Sequence, residues 1–428
     1  MNNAPLPESP KKAPVNLLMF CDDPDGDTGF GRVARELLRH WLRSGAVGRA
    51  EIWAIGYEGY PWGNEKMKGW RDAVERVPAS SYLCPAAFAD PNLSRGAQWM
   101  AGKAREGFTH LFALQNPEHV AMLGAHLKAA GQPPRAFAKS VAYLPCDAQP
   151  LAGVVEALRD QGWSARVPFT PSGQKLLDTV NMPVPHGVDA ESFFRAPEGL
   201  DREALRAEVL GAEAAGQIRG KSLYAMVCRP DERKGVVEAL QIMARMERDQ
   251  PGQHALYLHM APGLPVDRML GQLGIAGKAN VLTGGGYFSA TGQPMGGDEL
   301  LRKIYWMSDL YLVTSRGEGW CLPLTEAAAC GTPVAAPSWG ATGDILQAKD
   351  LGAPHLVLPS VAGQKMADAA GIFRPMVHVG HAAEKLMRLR SAGPEDVLSP
   401  AAKEPALADG WGAAWGWDRV AARLAGHF

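Results

Sequence analysis

Residues 309–336 read Asp-Leu-Tyr-Leu-Val-Thr-Ser-Arg-Gly-Glu-Gly-Trp-Cys-Leu-Pro-Leu-Thr-Glu-Ala-Ala-Ala-Cys-Gly-Thr-Pro-Val-Ala-Ala, and the fold can be argued from them. Leu310 to Val313 is an apolar run of strand length, and Ser-Arg-Gly-Glu-Gly after it is a loop. Pro323 stands where a helix can begin without losing a needed N–H. Leu322 to Cys330 therefore reads as a short helix, closed by Gly331 and Thr332-Pro333. Val334 to Ala336 resumes as a strand. The unit is βαβ, with its loop at the carboxyl end of a strand, where open α/β sheets bind ligands.

Two carboxylates flank that turn. Glu318 lies in the Gly-rich loop, where Gly317 and Gly319 are expected to let backbone approach a ligand closely. Glu326 lies about one turn into the helix, whose first N–H groups are free to receive ligand oxygens. Carboxylates accept charge-assisted hydrogen bonds from sugar hydroxyls, so the pair suits a polyhydroxylated ligand. An acidic helix start is the plain alternative, because it is electrostatically favourable by itself.

The segment from Glu318 to Val334 resembles the Glu-x7-Glu signature of GT-B retaining glycosyltransferases. The resemblance implies that Glu318 holds donor-sugar hydroxyls and Glu326 the ribose of the nucleotide. It puts Gly319, Trp320, Cys321 and Leu322 on the donor as well. Two further segments carry it. Val-Pro-His-Gly-Val-Asp (184–189), ending in Phe193-Phe194, resembles the segment that closes the family's N-terminal domain. Arg-Pro-Asp-Glu-Arg-Lys-Gly (229–235) follows the strand Leu223 to Val227. Arg229 and Lys234 can converge there on one anion with a helix N-terminus behind them. In the family, an Arg and a Lys at this spacing bind the donor diphosphate. Arg233 is the alternative second cation, and a solvated charge run is the plain reading.

The first strand, Val15 to Phe20, leads into a turn rich in Asp, Pro and Gly, and Thr28-Gly29-Phe30-Gly31 then opens a helix. Val33, Ala34, Leu37, Leu38, Trp41 and Leu42 share one face of it, and Gly45 ends it. Gly29 and Gly31 at this helix start make a candidate cradle for donor phosphate or sugar. Gly-Phe-Gly-Arg departs from the family's usual Gly-Gly followed by an acidic or polar residue, which leaves the role of Arg32 open. Aspartates 22, 23, 25 and 27 read as a solvated loop rather than a metal site. Further strands are expected at Glu51 to Ile55, His110 to Leu114, Ser140 to Leu144, Val167 to Phe169, His254 to His259 and Asn280 to Thr283. Helices are expected at Glu118 to Ala130, Leu151 to Gln161 and Asp298 to Trp306, with Ser172 capping another. His119 and Asp147 follow strands on the cleft side and are candidates to touch the donor sugar or the acceptor hydroxyl; loop capping is the alternative. The glycines of 284–297 could admit a base edge or simply form surface. Trp411, Trp415, Trp417, Val420 and Leu424 are spaced for one helical face.

The 428 residues exceed one ordinary domain, and 46% hydrophobic with 21% charged residues is a globular balance. No run approaches about 18 apolar residues, the length needed to span a membrane. Residues 1–14 lack the apolar core of a signal peptide, which points to a cytoplasmic protein, in the host cytoplasm if phage-encoded. Six cysteines without a CxxC pair imply buried free thiols, and His378 and His381 lack neighbouring ligands for a metal. A net charge of −1, with acidic and basic groups nearly balanced over 1–190, argues against a generally basic nucleic-acid binder.

The expected architecture is α/β GT-B: two Rossmann-like domains facing across a cleft, with a C-terminal helix crossing back to the N-terminal domain. The expected division is a tail (1–14), an acceptor domain (15–195), a nucleotide-sugar domain (196–408) and the returning helix (409–428). The resemblance implies a retaining transfer from a nucleotide-diphosphate sugar, with no cofactor and no metal. Arg229 and Lys234 would stabilise the leaving diphosphate, and Asp147 and His119 would serve the reacting groups. Thr-Gly-Phe-Gly-Arg, Pro-Cys-Asp and Glu-Gly-Trp-Cys-Leu-Pro are most similar to phage-encoded members of the superfamily. The acceptor they suggest is a 5-hydroxymethylpyrimidine in DNA, reached through a basic face of Arg32, Arg35, Lys66, Lys68 and Arg71. A bacterial enzyme building surface glycan or a small glycoside is the alternative.

Overall fold

The computed structural model describes residues 14–26, 28–55, 73–78, 91–277, 280–284, 297–348, 351, 353–367, 372–392, 397–398 and 416–428. The expected N-terminal tail up to residue 13, Asp27, Lys66, Lys68, Arg71, Cys84, the glycines of 285–296, Trp411 and Trp415 lie outside the described residues.

The first half is a doubly wound sheet. Its elements are β1 (Val15–Asp22), α1 (Gly29–Ser44), β2 (Val47–Ile55), β3 (Val74–Pro78), α2 (Pro91–Arg105) and β4 (His110–Leu114). They continue as α3 (Pro117–Ala129), β5 (Lys139–Leu144), α4 (Val154–Asp160), β6 (Ala165–Pro168) and α5 (Pro171–Leu176). The strands pair in parallel in the order β3-β2-β1-β4-β5-β6. Leu17, Leu18, Met19 and Phe20 are all fully buried, as an unbroken apolar run requires in a strand covered on both faces. One face packs under α1, the other under α2, α3 and α4.

The second half repeats the plan. The connecting helices α6 (Arg202–Leu210) and α7 (Ala212–Gln217) lead to β7 (Ser222–Val227), α8 (Val236–Asp249), β8 (His254–His259), α9 (Val266–Gln272) and β9 (Asn280–Gly284). Then come α10 (Gly297–Met307), β10 (Leu310–Leu312), α11 (Leu322–Ala329), β11 (Val334–Pro337), α12 (Gly340–Leu346) and β12 (His355–Leu358). These strands are again all parallel, in the order β12-β11-β10-β7-β8-β9, the same winding met from the other edge. A small antiparallel pair, β13 (Ser360–Ala367) and β14 (Phe373–Val377), precedes α13 (Val379–Ala392). The architecture is that of GT-B.

Each sheet has one switch point where the strand order reverses: between β1 and β4 in the first, between β7 and β10 in the second. The crevice outside such a point is where open α/β sheets bind ligands. The loops there are 23–26 with 115–116, and 228–235 with 313–321, and the residues singled out from sequence lie in them, on the first turns of the helices that follow, or, for Asp147, after β5.

The last helix, α14 (Trp417–Ala425), returns to the first domain. Val420, Ala421 and Leu424 bury against α1, and the Trp41 indole N–H donates to the Ala421 carbonyl at 2.8 Å. Val188 and Gly416 pair as a parallel bridge where the chain leaves the first domain and where it comes back.

Several local expectations change. Thr170, not Ser172, caps α5, its hydroxyl accepting from the Gly173 N–H at 3.0 Å. Ser172 instead reaches the second domain, where its N–H and hydroxyl donate to the Asp344 carboxylate at 2.9 and 3.0 Å. The aspartate turn is not a solvated loop: Asp23 is 7% exposed and Asp25 fully buried. Cys21, Cys146, Cys321 and Cys330 are buried free thiols, and Cys228 is half-buried. No described helix is long and apolar enough to cross a membrane.

Leu424 is fully buried in the seam between α14 and α1. Leu424→Ala is expected to cost about 2–5 kcal/mol through the lost side chain and the cavity it leaves. The midpoint of thermal unfolding, followed by circular dichroism, should fall; an unchanged midpoint would show that α14 is not part of the first domain's core.

Candidate active site

The second switch point is organised by a buried carboxylate. Glu318 is 7% exposed and both its oxygens accept from Lys234 Nζ, at 2.7 and 2.9 Å. Ser315 donates to Glu318 Oε1 at 2.6 Å, and Arg233 lies 3.4 Å from Oε2. Burial alone would raise the carboxyl pKa, but Lys234, Arg233 and the hydrogen bonds outweigh it and hold the pKa below its usual value. Behind the loop, Arg316 forms a 2.7 Å ion pair with the buried Glu238 on α8 and a 3.0 Å pair with Glu232. The loop thus meets the cleft from a rigid base.

Arg233, the alternative second cation, is committed elsewhere. Its guanidinium donates to the Gly317 carbonyl at 2.6 Å and pairs with Asp147 of the first domain at 3.2 Å. Burial opposes its charge, yet Glu318, Asp147 and Asp231 more than compensate and raise its pKa. Asp147 also accepts from Arg374 of β14, through its carbonyl at 3.0 Å and its carboxylate at 3.4 Å. The loop after β5 is therefore bound to the second domain. Gly317 and Gly319 make this contact possible. A Cβ on Gly317 would stand 2.4 Å from the Asp147 carbonyl, and one on Gly319 2.4 Å from the Pro145 Cβ. Close approach is the function of these glycines, as the sequence implies, but the backbone that approaches is the other domain's.

Glu326 is 3% exposed on the first turns of α11, and both its oxygens are taken. The Tyr305 hydroxyl donates to Oε2 at 2.8 Å, and Arg32 from α1 pairs with Oε1. Arg32 also pairs with Asp298 at the start of α10 and lies 5.5 Å from the Phe193 ring centroid. Arg35, the next cation on α1, is buried and donates to the Pro24 carbonyl at 2.8 Å. These two described members of the expected basic face are thus held inside the protein.

Arg229 is exposed just after β7; its carbonyl accepts from the Asp231 N–H at 2.8 Å, and its guanidinium has no hydrogen bond or ion pair with a described residue. Its charge acts across the cleft on Asp22, the last residue of β1. Asp22 accepts from the Thr28 hydroxyl at 2.5 Å and from Gln115. Gln115 in turn meets His119 Nδ1 at 3.2 Å. Burial pushes the Asp22 carboxyl up to about 6, against the pull of Thr28, Arg229 and Gln115. Burial likewise pushes His119 down to about 4, so its imidazole is neutral at ordinary pH.

The helix start between these groups is packed backbone. Thr28 caps α1, accepting from the Gly31 N–H at 2.9 Å. Gly31 is required for space, since a Cβ there would lie 2.4 Å from the Asp23 carbonyl. Gly29 is exposed, with Leu322 the nearest side chain to its would-be Cβ at 3.9 Å. Cys321 is in the second domain's core, Leu322 packs on the first, and Trp320 touches both. Among the described residues no group of three His, Cys, Asp or Glu side chains is placed to hold a metal.

The structure therefore brings Lys234, Glu318, Gly319 and Asp147 together at one end of the crevice. Glu326 and Leu322 meet α1 near Gly29, and His119 and Arg229 flank Asp22. Asp22, Gln115, Tyr305, Asp298 and Arg374 were not singled out as site residues from sequence. Asp22 and Gln115 carried a signal, as polar side chains at the carboxyl ends of the strands β1 and β4.

Residues 224–371 match the family model described as glycosyl transferases group 1. A D-inositol 3-phosphate glycosyltransferase of Segniliparus rotundus is 35% identical over 157 residues, 37% of this chain and 31% of that protein. An MMP alpha-(1->4)-mannosyltransferase of Mycolicibacterium hassiacum is 24% identical over 159 residues, 37% of this chain and 34% of its own. The match thus spans about a third of either curated relative. Two solved structures share the fold over nearly their whole length. Sucrose-phosphate synthase from Thermosynechococcus elongatus gives a TM-score of 0.66 at 15% identity, covering 96% of this chain and 97% of its own. Alpha,alpha-trehalose 6-phosphate synthase from Burkholderia multivorans gives 0.62 at 11% identity, covering 97% and 98%.

Asp22 yields a prediction with a defined sign. Its folded-state pKa of about 6 lies above the ordinary 3.8, so the charged carboxylate destabilises the fold above that range, and the penalty disappears as pH falls through 6 toward 3.8. Asp22→Asn removes this penalty but leaves one acceptor oxygen for Thr28 and Gln115, so the expectation is that its stability relative to wild type rises as pH goes from 5 to 8. Thermal midpoints of the two proteins measured across that range should show this; a constant difference would contradict the assignment.

Proposed function

We propose that the chain is a glycosyltransferase that moves a sugar from a nucleoside-diphosphate sugar to an acceptor hydroxyl with retention of anomeric configuration. The observation that carries this reading is the buried Lys234–Glu318 ion pair at the second domain's switch point, with Arg229 in the same loop as Lys234 and Glu326 on the helix that follows Glu318. All four lie within the stretch that matches the glycosyl transferases group 1 model. Glu326, on the first turns of α11, takes the ribose diol. Glu318, fixed in its charged form, accepts from donor-sugar hydroxyls. Arg229 has no competing partner among the described residues and meets the diphosphate, with Lys234 beside it.

The bond that breaks joins the anomeric carbon to the diphosphate oxygen, and the electron pair leaves with the diphosphate. Stabilising that developing charge is the task of preorganised cations and helix N-termini. Glu318 and Glu326 are both held by internal donors, so neither is offered as the acid or the nucleophile of a glycosidase-like pair. Of the two first-domain candidates, Asp147 belongs to the interdomain contact with Arg233 and Arg374. His119, neutral and joined through Gln115 to Asp22, is the better placed to meet a reacting hydroxyl.

For the acceptor, the names of the relatives and structural neighbours support a small polar molecule bearing hydroxyl and phosphate groups, such as an inositol phosphate or a sugar phosphate. Hydroxymethylated DNA rests on the phage-like motifs alone, and Arg32 and Arg35 are occupied internally. Incubation with a panel of nucleotide sugars and with sugar phosphates, inositol phosphate, hydroxymethylated DNA and unmodified DNA, read by product mass, decides between them. Mass gained only by hydroxymethylated DNA would reverse the acceptor preference, and no transfer to any acceptor would count against the enzyme reading.

Lys234→Ala should lower turnover by about 10²-fold or more, the scale of one lost transition-state stabiliser. A folded variant with near-normal turnover would remove Lys234 from catalysis. Glu326→Ala should act mainly by raising the donor KM, with kcat less affected. Chelator should leave the rate unchanged, and the product's anomeric proton should show the donor's configuration. Loss of activity with chelator, restored by magnesium or manganese, would make the reaction metal-dependent.

A further inference from the structure

Arg32 on α1 reaches into the second domain's candidate ribose site, and Glu36 on the same helix lines the pocket beside it. Its guanidinium pairs with Glu326 Oε1, while Tyr305 takes Oε2 at 2.8 Å. The same guanidinium pairs with Asp298 and lies 5.5 Å from the Phe193 ring centroid. Arg32, Asp298, Glu326 and Phe193 line one small pocket together with Val188 and Trp417. Side-chain exposure is 20% for Arg32 and 4% for Glu326, so the pair is largely shielded from water and from screening by salt. Both oxygens of Glu326 thus already accept from internal donors, and the guanidinium holds one of them.

We propose that Arg32 is a specificity-determining residue of the donor site, acting as an internal competitor for Glu326. A nucleotide engages Glu326 only by offering a vicinal diol that replaces the guanidinium. The inference rests on the ribose role proposed above for Glu326 and adds to it a competitor supplied by the opposite domain. Tyr305 keeps the carboxylate oriented during the exchange, because its hydroxyl bonds the other oxygen. Asp298 receives the displaced guanidinium, so the cation keeps one partner throughout. A ligand lacking either ribose hydroxyl makes fewer bonds to Glu326 and leaves Arg32 in place. The pair therefore sets a threshold that selects ribonucleotides over deoxy analogues.

The competition has a signature that a purely structural ion pair lacks. Apparent affinity is the intrinsic affinity reduced by the fraction of molecules in the binding-competent state. If Arg32 occupies Glu326 in about nine of ten molecules, removing it tightens binding by about tenfold. The experiment titrates UDP, GDP and ADP, and the 2′,3′-dideoxy form of whichever binds tightest, into the full chain by calorimetry. The proteins compared are wild type, Arg32→Ala, Asp298→Asn and Glu326→Ala.

Arg32→Ala is expected to bind the ribonucleotide about tenfold more tightly than wild type, with no gain for the dideoxy analogue. Asp298→Asn keeps the cation but removes its resting partner, so it should weaken ribonucleotide binding while circular dichroism stays unchanged. That variant keeps the test open if Arg32→Ala does not fold. Equal or weaker ribonucleotide binding by Arg32→Ala, or an equal gain for the dideoxy analogue, would overturn the competitor role. If Asp298→Asn alone is measurable, unchanged or tighter binding does the same. Wild type and Glu326→Ala binding all three nucleotides alike would instead remove the ribose role of Glu326, and the competitor role with it.

Discussion

The contact between Lys234 and Glu318 is the constraint on which the second half of the cleft depends. Two loops that leave adjacent strands of the sheet, β7 and β10, are tied together at their tips by a 2.7 Å ion pair. A buried carboxylate can remain charged only with such compensation, and here it comes from Lys234, Ser315 and Arg233 together. The buried Arg316–Glu238 pair fixes the base of the same loop on α8. With tip and base both anchored, Gly317 and Gly319 lie at a fixed height, and their missing side chains leave the channel that admits Pro145 to Asp147. The electrostatics of one loop thus decide how near the two domains come.

Much of this was legible in the sequence, and the reasons for the exceptions are physical. Parallel strands buried on both faces announce themselves as apolar runs, so β1, β4, β5, β7, β8 and β10 could be read directly. Strand β3, Val-Glu-Arg-Val-Pro, borders the first sheet and lacks such a run, and β12 borders the second. The antiparallel pair β13 and β14 carries no clear alternation either. Ser172 looked like a cap because its type and position fit, but the extended backbone that a cap needs is at Thr170. Local pattern cannot tell two hydroxyls two residues apart when the deciding partner, Asp344, belongs to the other domain.

The site divides in the same way. Glu318, Glu326, Arg229 and Lys234 stood out because short spacings mark two strand-to-helix turns, one after β7 and one after β10. Asp22 looked solvated because neighbouring aspartates usually are. It is held by Gln115, just after β4, and Thr28, the cap of α1, which no local reading connects. Arg32 and Glu326 are 294 residues apart, and only the facing of two domains joins them. What the sequence hides is therefore the set of contacts made across the crevice, while the contents of each wall were largely visible.

The bridge between Val188 and Gly416 has a mechanical consequence. The chain leaves the first domain near Val188 and is back in it at Gly416, and one parallel bridge fastens these two points together. A single thread is a swivel and permits rotation about any direction. Two threads fastened together act as a door hinge, with one easy axis and stiff resistance to twist. Arg32, Asp147 and Ser172, each bound to the opposite wall, would then travel on arcs about one axis. Opening would separate them in proportion to their distance from the hinge, so the contact farthest from it would part the widest.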